Sequence, residues 1–364
     1  MKVLGIESSC DETAAAVIED GRRFLSSVVN SQIDIHAAYG GVVPEVAARS
    51  HIEVVNPVIA EALAAAGCSW DDIDAIAVTY APGLIGSLLV GTLAARTLAI
   101  LHDKPLYAVH HVEAHVYANF IVEDGSNVKN DLHLTLPATQ PAFPMLALIV
   151  SGGHSQLVLF SSHGRYELLG QTQDDAVGEA FDKVAKIIGL PYPGGPSITK
   201  SALAGDPHRF KLPKAKLAGK YDFSFSGLKT AVLRAVQREV GVDFTYPSHE
   251  LPKLVTEQLR NDFAASFQYT AIETLVDKTE AAYRDYQPKS VVIAGGVAAN
   301  QELRRQLSTR LPLSIEYAPI QFCTDNAAMI ATLGYYQAIY GQPVSPYELE
   351  VIPSLSMAAS HWRK

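Results

Sequence analysis

The feature that most constrains the fold of this chain is a pattern used twice. Apolar residues 3–6 lead into a polar turn, Glu7-Ser8-Ser9-Cys10-Asp11-Glu12-Thr13. A second apolar run follows at 14–18, then a turn at Asp20-Gly21 and a third run at 24–29. The same order returns at 145–150, followed by Ser151-Gly152-Gly153-His154-Ser155, a run at 156–160, a turn at Ser162-His163-Gly164 and a run at 166–169. Short apolar runs separated by turn residues predict a β-meander, and its recurrence predicts an internal duplication. Helical periodicity follows each meander, at 50–66 and 86–102 in the first half and at 178–188 in the second. Strands alternating with helices predict an α/β class with mixed sheets.

At 364 residues the chain can hold two domains with substantial cores. The pattern predicts two lobes, one from each meander. Between them lies a polar, proline-rich inter-lobe loop or insertion at 122–143, and a tail covers 346–364. Hydrophobic content of 48% with 18% charge describes an ordinary globular protein. Three cysteines, Cys10, Cys68 and Cys323, argue for a reducing cytosol and against a disulfide framework. Met1-Lys2 runs straight into an apolar segment, so no secretory leader is expected, and a cytoplasmic location is. The longest apolar stretch, 84–95, is too short to span a bilayer and ends at Arg96. It reads as a buried helix, and no membrane association is expected. The net charge of -9 argues against bulk attraction to nucleic acid. One basic run, 208–220, carries Arg209, Lys211, Lys214, Lys216 and Lys220; a solvated loop is the commoner meaning of such a run.

His111-Val112-Glu113-Ala114-His115 places two imidazoles on one helical face, since each residue turns a helix by roughly 100°. Both rings can reach one metal ion, with a third ligand needed from elsewhere in the chain; a surface or core histidine pair is the plainer alternative. Glu113 falls on the far side. A zinc protease of the H-E-x-x-H type carries its glutamate beside the metal, one residue after the first histidine, so the protease base is missing here. Ser151-Gly152-Gly153-His154 offers bare backbone and a hydroxyl suited to phosphate. Gly295-Gly296-Val297-Ala298-Ala299-Asn300, between an apolar run and a helix from Gln301, is suited to a nucleoside, with the Asn300 amide able to bond a base or ribose. Asp182 lies in the first turns of the second-half helix, and Tyr192-Pro193-Gly194-Gly195-Pro196 is a rigid turn suited to backbone contact. The alternating Tyr221–Thr230 segment reads as a strand entering a helix, able to present Ser226 and Lys229 to a polyanion.

Taken in order, GIESSCDETA (5–14), HAAYGGVVPEVAARSH (36–51), APGLIGSLLVG (81–91), HHVEAH (110–115), VSGGHSQL (150–157), GEAFDKVAKIIGLPYPGGP (178–196), DFSFSGLKTAV (222–232), AGGVAAN (294–300) and CTDNAAMIA (323–331) resemble the TsaD family of bacterial type. These are the tRNA N6-adenosine threonylcarbamoyltransferases, once called Gcp or O-sialoglycoprotein endopeptidases. The resemblance covers nearly the whole chain. It implies an actin-like duplicated two-lobe fold, shared with sugar kinases and heat-shock chaperones, with a first lobe of 1–121 plus about 324–345, a second lobe of 144–323 and a nucleotide cleft between them. It implies that His111, His115 and Asp325 bind one divalent metal ion, iron(II) first, with zinc or magnesium as alternatives. It implies that Val150, Ser151, Gly152, Gly153, His154, Asp182, Gly195, Asn300 and Thr199 hold the adenylate.

The implied reaction is transfer of the threonylcarbamoyl group from threonylcarbamoyl-AMP to N6 of the adenosine 3′-adjacent to the anticodon, in tRNAs reading codons that begin with A. The implied partners are a TsaB-like paralogue and a TsaE-like ATPase. The amine must lose a proton, and Asp11 and Glu12 are candidate bases, with turn-capping as the alternative. Lys214 and Lys216 are candidate tRNA contacts. The rival functions are a metallopeptidase and a non-catalytic scaffold of the tRNA-modifying complex.

Overall fold

The structure is a computed structural model that describes residues 1–123, 134–315, 317–360 and 362. The chain divides into two compact units. One comprises Met1–Phe143, the hairpin tip Phe160–Glu167, and Glu316–Lys364; the other comprises Pro144–Leu159 and Leu168–Ile315.

The first unit opens with β1 (Lys2–Glu7), β2 (Glu12–Glu19) and β3 (Arg23–Ser31), then α1 (Ile33–Ala37) and α2 (Pro44–Ala65). It continues with β4 (Ala75–Ala81), α3 (Ile85–Leu101), β5 (Leu106–His110) and α4 (His111–Tyr117). The sheet order is β3-β2-β1-β4-β5. β1 and β2 pair antiparallel, as do β2 and β3, whereas β4 runs parallel to both β1 and β5. Strands covered on both faces lose the alternation of a half-exposed strand. Accordingly Val3, Leu4 and Ile6 of β1 and the whole run Ala14 to Ile18 of β2 are buried. Leu4, Ile6 and Val17 pack against Val55, Ile59 and Leu63 of α2 and Ala95 and Ala99 of α3. Each large aliphatic side chain so buried contributes about 1.5–3 kcal/mol. α2 begins six residues before the apolar periodicity does. Pro44 presets its first turn.

The second unit repeats the meander with β6 (Met145–Val150), β7 (Ser155–Ser162) and β8 (Arg165–Gln171). Its helices are α5 (Val177–Ile188), α6 (Gly194–Ala202), α7 (Ser226–Glu239), α8 (Glu257–Tyr286) and, after β9 (Ser290–Ala294), α9 (Gln301–Arg310). The sheet order is β8-β7-β6-β9, with β9 parallel to β6. The meander extended by parallel strands on the β1 or β6 side therefore occurs twice. This is the actin-like duplication that the sequence implies.

The chain then returns to the first unit with α10 (Ile320–Cys323) and α11 (Ala327–Tyr340), which packs on β1, β2, β4 and β5. The segment 347–352 is tied down there. Arg96 donates to the carbonyls of Tyr347 and Leu349, and the Ile352 amide donates to Tyr80 at 3.0 Å. Of the 122–143 connection, residues 124–133 lie outside the described residues; Gln140 bonds the Phe120 carbonyl at 2.9 Å and the Tyr336 hydroxyl at 3.0 Å. Among the described residues no helix is long and apolar enough to cross a membrane.

Candidate metal centre and adenylate site

In the first unit, α4 starts directly at the end of β5, so its two histidines project from the carboxyl edge of the sheet. The His110 side chain caps α4 by accepting from the Glu113 amide at 3.4 Å, while its Nε2 donates to the Leu355 carbonyl at 3.1 Å. Burial pushes His110 down to about 4, so it stays neutral and can do both. The third converging residue comes from the turn before α11. Asn326 accepts from the Met329 amide at 3.1 Å and donates to the Thr324 carbonyl at 2.7 Å, which holds Asp325 in place.

His111 Nε2 lies 3.4 Å and His115 Nε2 3.3 Å from the same Asp325 oxygen, Oδ1. One ligand atom from each residue lies within 4.8 Å of the others. Atoms bound about 2.1 Å from one ion sit roughly 3.0–3.4 Å apart at octahedral to tetrahedral angles, so these spacings fit a shared cation. His115 gives the independent sign. It is 2% exposed, yet neither of its ring nitrogens makes a hydrogen bond, because the Asp325 oxygen is near but out of line. A buried polar atom left unpaired is costly, and a metal would take its lone pair. The residues present fit a divalent ion.

Behind the histidines stands Glu7, fully buried at the end of β1. Its Oε2 accepts from His111 Nδ1 at 3.0 Å and from Thr79 at 2.5 Å, and its Oε1 accepts from the Ser9 amide at 2.5 Å. A carboxylate behind a ligating imidazole fixes which nitrogen faces the metal. Here Nδ1 faces Glu7 and Nε2 is turned to Asp325. Burial pushes Glu7 up and His111 down. For His111 the Glu7 and Asp325 charges more than offset burial, and it sits well above its ordinary value; the His111 charge and hydrogen bonds in turn hold Glu7 and Asp325 below theirs, in Glu7 against the raising effect of Asp325.

Glu7 is a residue that sequence reasoning misses: its only signal there is an acid closing an otherwise apolar strand. Glu12 is half-buried, and burial with the nearby Asp325 and Asp11 charges pushes it up to about 9. In that state it holds a proton at neutral pH and is not a base. A bound cation would lower it. Asp11 is half-buried in the same turn, and its carbonyl receives the Gln32 amide at 3.0 Å.

Glu113 points elsewhere. Its Oε1 accepts from the Trp362 indole at 3.0 Å, and its Oε2 lies 3.4 Å from the Tyr166 hydroxyl. Burial pushes it up to about 8 against those hydrogen bonds. It is therefore not placed as the base of a metallopeptidase.

In the second unit the expected adenylate residues form a closed ring of contacts. The Ser151 amide donates to the His154 carbonyl at 2.8 Å and the His154 amide to Ser151 Oγ at 3.1 Å, which folds 150–154 into a tight turn with Gly152 and Gly153 exposed. Val150 is buried at its base. The Gly178 amide at the start of α5 donates to the Ser151 carbonyl at 3.2 Å; a Cβ at 178 would lie only 2.6 Å from that oxygen. On the β9 side, Gly295 has φ +88, and its missing Cβ would meet the Val150 carbonyl at 2.5 Å. α5 carries Asp182, whose Oδ1 accepts from the Gly194 amide of α6 at 2.7 Å; burial pushes that carboxyl up. α6 carries Gly195 and Thr199, and Thr199 Oγ1 lies 2.9 Å from both the Gly195 carbonyl and Gln268 Oε1. Asn300 completes the ring by donating to Gln268 at 2.9 Å. Its Oδ1 is taken by the Leu303 amide, so it caps α9. A nucleotide bonding Asn300 would have to displace these partners, a commitment its sequence context does not reveal.

Two expected polyanion contacts are spoken for. Ser226 donates to Asp174 at 2.6 Å, and Lys229 lies 3.3 Å from Asp175. In the basic run, Lys214 pairs with Glu273 at 3.0 Å and Asp277 at 2.6 Å, Arg209 with Asp262 at 2.7 Å, and Lys220 with Asp285. The run is a strap along α8, and Lys214 is not a free cation. Lys211 and Lys216 are exposed.

Fold and site define a duplicated α/β protein with a two-histidine, one-carboxylate cluster in its first unit and a glycine turn packed against α5 and the end of β9 in its second. The family model described as "TsaD: tRNA N6-adenosine threonylcarbamoyltransferase" matches residues 23–332. Proteins of that name from Thermomicrobium roseum and Symbiobacterium thermophilum are 49% and 51% identical, covering 94% and 92% of this chain and 93% and 91% of their own lengths. One from Dehalococcoides mccartyi is 48% identical over 99% of this chain and 100% of its own. The chain belongs to the tRNA N6-adenosine threonylcarbamoyltransferase family. It is a transferase that modifies tRNA.

Proposed function

We propose that the donor is threonylcarbamoyl-AMP and the acceptor is N6 of the adenosine 3′-adjacent to the anticodon, in tRNAs reading codons that begin with A. His111, His115 and Asp325 would hold one divalent metal, iron(II) first by the two-histidine, one-carboxylate donor set, with zinc or magnesium as alternatives. The observation that carries this reading is the buried, unbonded His115 ring beside Asp325. When bound, the metal supplies Lewis acidity toward an oxygen of the donor.

The protein's own groups do the rest. The backbone at Gly152 and Gly153 holds the adenylate phosphate, and the contact ring from Asp182 through Gly195 and Thr199 to Asn300 shapes its seat. The adenosine amine attacks the carbamoyl carbon. A C–N bond forms, the C–O bond of the mixed anhydride breaks, and AMP leaves with the electron pair. The amine proton passes to Asp11, or to Glu12 once a bound cation has lowered it. Glu7 keeps His111 in one tautomer throughout. The target base is splayed from its loop to be reached. The setting is the cytoplasm, with a TsaB-like paralogue and a TsaE-like ATPase as partners.

The test is His111→Ala and His115→Ala. Both variants should lose bound metal by elemental analysis and lose transfer, with circular dichroism unchanged. Full metal content in both removes the ligand assignment.

A further inference from the structure

The last described stretch of the chain ends on the helix that carries the two histidines. Ile352 and Pro353 fix the start of this stretch, through the Tyr80 carbonyl at 3.0 Å and the Gly83 amide at 3.1 Å. Leu355 then offers its carbonyl to His110 Nε2 at 3.1 Å, at the N-cap of α4. Met357 is buried, and the carbonyls of Met357 and Ser360 lie 3.1 and 3.2 Å from the Tyr166 hydroxyl. Trp362 packs over Gly164, where a Cβ would lie 2.7 Å from the indole ring, and donates its Nε1–H to Glu113 at 3.0 Å.

α4 has only seven residues, about two turns. A helix that short does not hold itself, since isolated helices below roughly 12 residues are marginal. Its rotation decides whether the two Nε2 atoms meet over Asp325 or miss. Glu113 lies between the histidines in sequence and on the opposite face, fully buried. A buried carboxyl group is costly unless bonded, and an apolar residue would serve a plain core position better. The indole N–H on Oε1, with the longer Tyr166 hydroxyl contact on Oε2, accounts for a glutamate there: the indole pair is directional where packing alone is not.

We infer that the C-terminal segment is a positioning strap for the metal helix. Trp362 acting through Glu113, and Leu355 acting through His110, set the rotation of α4 that aims His111 and His115 at Asp325. Trp362 and Glu113 are positioning residues, remote from the reacting atoms. The inference rests on the metal reading proposed above.

The experiment uses the full chain stripped of metal and titrated with Co(II) alone. Affinity is read by competition with a chelator and ligand geometry by the visible absorption bands, with thermal unfolding as the control for fold. Trp362→Phe keeps the ring and removes the N–H. It should weaken Co(II) binding about tenfold, the low end for loss of a group supporting a metal ligand, and shift the bands. Glu113→Gln keeps the acceptor oxygen and should hold both near the wild-type values. Glu113→Leu fills the space without an acceptor, leaves the tail intact, and should reproduce the Trp362→Phe spectrum. If wild-type protein binds no Co(II), the metal reading falls and the strap with it. If wild type binds, and Trp362→Phe and Glu113→Leu match it in affinity and spectrum, the strap alone is overturned.

Discussion

Glu7 is the residue whose replacement probes the centre without removing a ligand. It lies 3.0 Å from His111 Nδ1, and loss of such a support costs 10–100-fold in metal affinity in comparable sites. Glu7→Gln should therefore bind metal at least tenfold more weakly while staying folded, as measured by chelator competition; wild-type affinity would detach Glu7 from the site. The same geometry fixes a pH dependence. His111 is held well above its ordinary value by Glu7 and Asp325, so without metal its ring carries a proton at neutral pH. A metal needs the Nε2 lone pair, so binding must displace that proton. Affinity should rise with pH up to the His111 value, with about one proton released per ion near neutrality. Calorimetry in buffers of different ionisation enthalpy reads this directly, and a flat pH profile with no release contradicts it.

Among the elements, those with a regular apolar period were legible in the sequence. The meander strands and α3 and α5 fall where their periods put them, within a residue or two at most ends. The parallel strands β4 and β5 and the long α8 carried no such signal. β4 and β5 are short and buried on both faces, and α8 is buried around much of its girth, so neither shows a clean alternation. At the candidate site, the convergence of His111 and His115 was legible from spacing alone. The contacts of Glu7 with Thr79, of His110 with Leu355 and of Trp362 with Glu113 were not, because those partners lie 72 to 249 positions away in sequence.

The glycine turn offers a test at this scale. Gly153 has open space where a Cβ would go, whereas at 178 the Cβ would strike the Ser151 carbonyl. Gly153→Val should keep its melting temperature and lose affinity for AMP. Gly178→Val should cost about 1–3 kcal/mol of stability through overpacking. Unchanged AMP affinity in Gly153→Val, by calorimetry, removes the turn from the site.

For the whole molecule, the net charge of -9 leaves tRNA to be held by local cations or by partners. The basic run along α8 has Lys214 already engaged with Glu273 and Asp277, so reversing it would loosen the strap and confuse the readout. Lys211→Glu with Lys216→Glu is the cleaner variant. It should weaken tRNA binding in proportion across tRNA sequences. The slope of its salt dependence should fall by about one for each phosphate that a lysine no longer neutralises. Unchanged binding and salt slope place the tRNA contacts elsewhere.

Metal-dependent transfer by this chain at His111, His115 and Asp325 is measured most directly by mass spectrometry of tRNA nucleosides after reaction with threonylcarbamoyl-AMP and the partner proteins. Wild-type chain, wild-type chain stripped of metal and then reloaded, and His115→Ala are run side by side. Modified adenosine is expected with wild type, none after stripping, recovery on reloading with iron(II), and none with His115→Ala under any loading. Product at the wild-type rate from the stripped chain or from His115→Ala would contradict a metal-dependent transfer at this centre.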